Sequence, residues 1–213
     1  MIVGIIDYGS GNIRSVYKSF EKAAKLTSLN INVKTINSAS QLNNVDKIVL
    51  PGQGAFADCI DGLKLKKDMI KLLKNKVINE KKEFLGICVG MQLLACESEE
   101  HGSTEGLSWI QGKVKKIVRK DKNLKIPHMG WNSVIYKKNH PLFNNIIKEE
   151  DFYFVHSYEF IAEKEENVIA SAQYGNELVA AIVKDNIIGT QFHPEKSQRA
   201  GIQFIKNFLE WKS

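Results

Sequence analysis

The chain has 213 residues, 43% of them hydrophobic and 25% charged, and a net charge of +6. That length and apolar content support a substantial core, which excludes a disordered chain and a disulfide-stapled miniature. Cys59, Cys88 and Cys96 are odd in number and follow no metal-ligand spacing, which points to a reducing cytoplasm and away from structural zinc. The opening run Ile2-Val3-Gly4-Ile5-Ile6 is too short for a transmembrane helix and has no basic leader or cleavage site, so no membrane association is expected. The lysines are spread over the chain, with runs at 64–82, 113–125 and 137–138, interleaved with acidic residues and without an aromatic platform. They read as a solvated surface, or as a face for an anionic substrate or acidic partner, and not as a nucleic-acid site.

Residues 2–7 predict a strand ending in Asp7-Tyr8-Gly9-Ser10-Gly11-Asn12, with an amphipathic helix over 13–26. The glycine spacing matches neither phosphate-binding fingerprint. A strand over 31–36 comes next, then Lys47-Ile48-Val49-Leu50 leading into Pro51-Gly52-Gln53-Gly54. A lysine-rich helix over 65–79 precedes the strand that delivers Cys88. Such alternation predicts a parallel sheet covered on both faces, with functional groups at the carboxyl ends of its strands. From residue 107 the pattern changes to β-rich runs at 113–118, 131–136, 151–160, 168–174, 179–184 and 187–192. Their linkers are too short for helical crossovers, so this half is expected to be largely antiparallel and to extend or pack on the first sheet. Asp185-Asn186 reads as a tight turn. A helix over 198–211, with Ile202, Phe204, Ile205, Phe208 and Leu209 on its apolar face, closes the chain. With no repeat and no linker, residues 1–213 read as a single domain.

The stretch Glu83-Phe84-Leu85-Gly86-Ile87-Cys88-Val89-Gly90-Met91-Gln92 has the form of a nucleophile elbow. Gly86 and Gly90 remove β-carbons where backbone crowds backbone, and the N-terminus of the following helix favours a thiolate at Cys88. Taken alone, the segment also fits a buried structural cysteine. A thiolate needs an acid–base partner. His193 follows an apolar strand and precedes Pro194, with Glu195 two residues on, so imidazole and carboxylate can project together as base and orienter. His128 and His156 stand at strand edges near aromatics, where packing and substrate-wall roles compete. His101 and His140 read as solvated loop residues.

Together Gly86-Ile87-Cys88-Val89-Gly90-Met91-Gln92, Pro51-Gly52-Gln53-Gly54 and Phe192-His193-Pro194-Glu195 resemble the class I (triad) glutamine amidotransferases, in the family's order and over nearly the whole chain. The resemblance implies a three-layer, flavodoxin-like α/β domain, with a central mostly parallel sheet, helices on both faces and a β-rich C-terminal half. It implies that Cys88 attacks the carboxamide of glutamine, that His193 serves as acid and base, and that Glu195 orients it, with no metal or cofactor. The backbone N–H groups of Gln53 and Val89 would hold the oxyanion, although Gln53 stands where a small or branched apolar residue is usual. Gly52, Gly54, Gln92, Glu100, His156, Ser157 and Tyr158 map to the glutamine pocket.

Within that family, Ile6 to Asn12, Pro127-His128-Met129-Gly130-Trp131-Asn132 and His193 to Ser197 are similar to the glutaminase subunits of imidazole glycerol phosphate synthases, enzymes of histidine biosynthesis. This implies a heterodimer with a (β/α)8-barrel cyclase subunit that receives the ammonia. It puts Asn12, Trp131 and Lys196 on the docking face, while Trp131 fits a core position equally well. A subunit feeding nucleotide-sugar amidation, and a catalytically silent partner-binding domain, are the alternative readings.

Overall fold

The computed structural model describes residues 1–118, 121 and 123–213; Arg119, Lys120 and Lys122, part of one lysine-rich stretch, lie outside the described residues. The first half runs β1 (Ile2–Ile6), α1 (Ile13–Ala24), β2 (Asn32–Ile36), β3 (Lys47–Gly52), α2 (Phe56–Leu65), α3 (Met69–Lys74), β4 (Glu83–Cys88) and α4 (Val89–Gln92). Asn12 caps α1 by accepting the Ser15 N–H through its side chain (3.3 Å), and Val16, Phe20 and Ala23 form its buried face. After two short strands, β5 (Glu97–Ser98) and β6 (Thr104–Glu105), come β7 (Gly112–Lys116), β8 (His128–Tyr136), β9 (Asp151–His156), β10 (Tyr158–Ala162), β11 (Val168–Tyr174), β12 (Asn176–Lys184), β13 (Ile187–Thr190) and α5 (Gln198–Glu210).

Nine strands form one sheet in the order β2-β1-β3-β4-β13-β12-β11-β8-β9, and β10-β7-β5-β6 form a second. Strands β2, β1, β3, β4 and β13 are mutually parallel, and the pairs from β13 through to β9 are antiparallel, so the large sheet is mixed. Because β2 lies to one side of β1 while β3 and β4 lie to the other, right-handed crossovers put α1 on one face and α2 with α3 on the opposite one. Helix α5 packs beside α1.

Two predicted elements break. The helix expected over 65–79 is split: α2 ends at Leu65, Asp68 takes a φ of +60°, and α3 passes into a π-helical turn over Asn75–Asn79. Leu65 is 86% exposed, so no apolar contact carries a helix across this corner. The strand expected over 151–160 divides at Ser157, with β9 at the edge of the large sheet and β10 in the small one. His156 Nδ1 donates to the Tyr158 carbonyl (2.8 Å) and closes the corner between them. Two surface expectations also change. Lys76 is buried and pairs with Glu80 (2.9 Å), and His140, partly buried, packs its ring against Trp211 (5.8 Å between centroids).

The core on the α5 side is a cluster of rings. Phe192 lies 4.3 Å from Phe152 and 5.4 Å from Phe204, centroid to centroid, and all three are fully buried. Burial of each such side chain is worth about 1.5–3 kcal/mol, and here it anchors the residue that precedes His193. At the elbow, packing is closer still. A β-carbon on Gly86 would stand 2.4 Å from the Gly90 carbonyl oxygen, and one on Gly90 only 1.8 Å from the Leu50 carbonyl oxygen. Gly90→Ala should therefore destabilise the fold by about 3 kcal/mol or more, read as a lower urea midpoint; a midpoint equal to wild type would mean that the strands separate freely there.

Candidate active site

Register assembles the site. On one flank of β4, Gly52 of β3 is paired with Cys88; on the other, Thr190 of β13 is paired with Ile87, which brings Gln191 level with the cysteine. Cys88 is buried and takes φ +55° and ψ −111°, a left-handed conformation rare for a side chain with a β-carbon. The helix after it is shorter than expected: α4 is a single turn of four residues, so few aligned peptides contribute their dipoles at Cys88.

His193 is also buried, and its Nδ1 makes a 2.8 Å hydrogen bond to Glu195 Oε1. Its Nε2 has no hydrogen-bond partner among the described residues, nor has Glu195 Oε2. Burial alone would lower the ring's pKa, but the charge of the adjacent Cys88, followed by the hydrogen bond and charge of Glu195, outweighs it and pushes the value up to about 10. The His193 backbone is held as well: its N–H donates to the Tyr153 carbonyl (2.9 Å), and its carbonyl accepts from Ser197 Oγ (2.6 Å).

Cys88 opens onto a cavity of about 240 Å³ whose walls include Gly54, Val89, Gln92, Glu100, His156, Ser157 and Tyr158, together with Pro127 and Val155. Drug-sized ligands occupy sites of about 300–1,000 Å³, so this volume suits a single amino acid. Gln92 is no exposed helix residue. It is 3% exposed, and its amide nitrogen donates to the Tyr158 carbonyl and to Gln191 Oε1, both at 3.0 Å. Glu100 Oε2 accepts the Phe56 N–H (2.7 Å) at the start of α2.

Gly52 and Gln53 do not line the cavity. The Gln53 N–H donates to Ser10 Oγ (3.3 Å), while the Gln53 carbonyl accepts from the same hydroxyl (2.5 Å) and from Cys59 Sγ (3.5 Å). The N–H of the Gly52–Gln53 peptide and the carbonyl of the Gln53–Gly54 peptide are thus both occupied, by Ser10 and, for the carbonyl, by Cys59 as well. Asn12 is exposed, and the helix it caps packs on the 194–196 turn. Trp131 is 47% exposed, which removes the core alternative. It packs edge-on against Tyr153 (6.0 Å), and Lys196 Nζ sits 5.5 Å above the same Tyr153 ring.

Sequence reasoning missed Gln191, which is fully buried and donates from Nε2 to Cys88 Sγ (3.7 Å). Its signal was available: residues two apart in an extended segment face the same way, and Gln191 stands two before His193. Ser10, Tyr153 and Val155, whose carbonyl lies 3.9 Å from Cys88 Sγ, carried no such signal.

Over residues 4–211 the chain matches the family described as glutamine amidotransferase class-I. It belongs to that family. Among its relatives are the imidazole glycerol phosphate synthase subunits HisH of Brucella melitensis, 46% identical, and of Bradyrhizobium diazoefficiens, 47% identical, each over 215 residues that span all of both chains. A crystal structure of a glutamine amidotransferase superposes with a TM-score of 0.73 at 16% identity, covering 99% of this chain and 98% of that one. Another, from Thermotoga maritima, gives 0.61 at 17%, covering 99% and 83%. These two structures show a shared class-I amidotransferase fold.

An ordinary histidine, with a pKa near 6.5, is neutral at pH 8, whereas a ring raised to about 10 is still protonated there. Cys88→Ala removes the largest raising influence and leaves the lowering effect of burial in place. NMR titration of His193 should therefore find its midpoint moved down toward the ordinary value in the variant. An unchanged midpoint would mean that Cys88 is not what keeps the proton on the ring.

Proposed function

We propose that this chain is the glutaminase subunit of an imidazole glycerol phosphate synthase, a single-domain protein that releases ammonia from L-glutamine and passes it to a cyclase subunit in the cytoplasm. The observation that carries the reading is the His193–Glu195 pair, 2.8 Å apart, set beside a cysteine on a strained strand end that opens onto a small cavity. The full-length relatives at 46–47% identity support the histidine-pathway assignment over nucleotide-sugar amidation.

In the mechanism, the Cys88 thiolate attacks the side-chain carboxamide carbon of glutamine and forms a C–S bond as the carbonyl π electrons move to oxygen. Backbone N–H groups meet that oxyanion, the first from Val89. The second, from Gln53, requires its peptide to turn away from Ser10, and Gly52 and Gly54 on either side permit this. Protonated His193 then gives its proton to the departing nitrogen, the C–N bond breaks, and ammonia leaves a γ-glutamyl thioester. The neutral ring next takes a proton from water as the hydroxyl adds to the thioester, and glutamate is released with the thiolate restored. Glu195 holds the ring's orientation throughout. Gln92, with its N–H groups committed, meets substrate through its oxygen, and Glu100 and the 156–158 corner close the pocket.

Free ammonia is protonated in neutral water, so it must reach the acceptor enclosed. The proposed partner is a (β/α)8-barrel cyclase that combines ammonia with a ribulosyl formimino-carboxamide nucleotide to give imidazole glycerol phosphate and aminoimidazole carboxamide ribotide. Trp131 and Lys196, which converge on Tyr153, form the proposed docking face with Asn12. A desolvated tryptophan is a common interface anchor.

Cys88→Ala should abolish synthesis from glutamine by the assembled complex while synthesis from added ammonium continues. Glutamine use at the wild-type rate would overturn the role of Cys88. Ser10→Ala removes both hydroxyl bonds to Gln53. Since each is worth about 1 kcal/mol net, the partner-free glutaminase rate should rise on the order of thirty-fold, and an unchanged rate would mean that something else holds the turn.

A further inference from the structure

Strands β8 and β9 form a hairpin whose two faces do different things. Met129 and Trp131 project to solvent, and the residues alternating with them, His128 and Asn132, face inward. His128 is directly paired with His156 across the ladder. Its ring is stacked between Tyr174 (4.1 Å between centroids) and Phe154 (4.7 Å).

Both ring nitrogens of His128 are hydrogen-bonded, Nε2 to Asn132 Nδ2 (3.1 Å) and Nδ1 to His156 Nε2 (2.9 Å). Asn132 Nδ2 also donates to the Gln173 carbonyl (2.9 Å), so it is a nitrogen with hydrogens to give. Nε2 of His128 must accept, which leaves the His128 proton on Nδ1. That proton can only go to an unprotonated His156 Nε2. His156 therefore carries its proton on Nδ1 and donates it to the Tyr158 carbonyl (2.8 Å). The donor-only amide at one end and the acceptor-only carbonyl at the other leave a single arrangement, with both rings neutral. Burial, which lowers His128 to about 4 and His156 to about 3, agrees with it.

The run does not stop at Tyr158. The same carbonyl accepts from Gln92, Gln92 donates to Gln191, and Gln191 donates to Cys88 Sγ. We propose that His128, which neither lines the cavity nor touches Cys88, is a positioning residue for glutamine hydrolysis, acting through the fixed-tautomer pair with His156 to set the 156–158 wall of the substrate pocket. The inference rests on the glutaminase reading above. A carbon ring would fill the stack between Tyr174 and Phe154 equally well. A buried imidazole costs desolvation unless both nitrogens are satisfied, and here both are spent on fixing their neighbours.

The test compares steady-state glutamine hydrolysis by the assembled wild-type complex with that of His128→Phe and His128→Asn. His128→Phe keeps the stack and leaves His156 Nε2 unpaired; it should raise KM for glutamine about ten-fold with kcat changed less than about three-fold. His128→Asn places an amide nitrogen where the ring Nδ1 was and keeps the bond to His156, so its KM should stay within about two-fold of wild type. An unchanged KM in His128→Phe, or an equal loss in both variants, would overturn the proposal. Nitrogen-15 NMR of the wild-type chain at pH 7 gives an answer that needs no variant to fold. Both rings should be neutral with the proton on Nδ1, and an Nε2–H tautomer or a charged ring at either position would overturn it. A wild-type complex without glutaminase activity would instead remove the proposed function, and the tautomers would still decide whether the run exists.

Discussion

The site depends on how closely the peptide at Gly90 passes the Leu50 carbonyl. A β-carbon there would lie 1.8 Å from that oxygen, so β3 and the turn after β4 meet at a separation only glycine permits. That approach keeps Gly52 level with Cys88, and the parallel pairing of β13 on the other side brings Gln191 and then His193 alongside. The proposed oxyanion turn, nucleophile and base thus come from the carboxyl ends of three adjacent strands. The strained conformation of Cys88 costs on the order of 1–3 kcal/mol. It persists because Ile87, Val89 and Met91 around it are buried in the core and leave the turn no alternative path.

Three buried histidines lie within this region, and their surroundings give them different charges. His193 faces two acidic groups, Cys88 and Glu195, and holds its proton far above the ordinary range. His128 and His156 face amides, a carbonyl and each other, and are neutral. The two effects reinforce one another: burial is the main cause of the lowered His156 pKa, and the positive charge of His193 adds to it. One charged ring next to Cys88 and a neutral pair behind the cavity wall is a difference that residue type alone does not dictate.

Local signals made much of this legible in the sequence. The elbow announced itself through Gly86 and Gly90, and His193 with Glu195 through the proline that ends their strand. Helix α5 showed its buried face by period. The unread parts depended on tertiary facts. That Leu65 would find no neighbour, and so break a helix, cannot be seen from its own segment. The division of the 151–160 strand between two sheets turns on a side-chain bond at His156 that has no sequence signature. Gln53 had a local signal for a flexible glycine turn, but its capture by Ser10 joins residues 43 positions apart. Trp131 stayed ambiguous because an aromatic in a strand fits either face until the partner of that strand is known.

The β8–β9 hairpin joins the proposed docking face to the wall of the cavity. Alternation along a strand gives it two faces, so the peptides that expose Trp131 and Tyr153 are the same ones that hold His128 and His156 inside. Tyr153 adds a second tie, since its carbonyl holds the His193 N–H while its ring receives Trp131 and Lys196. A partner on the proposed docking face would therefore bear on the His193 backbone and on the wall of the cavity at once. The Gln53 peptide is bound to Ser10 and Cys59 on a different strand end, outside this hairpin. The turn proposed for that peptide would thus break bonds that the hairpin does not make.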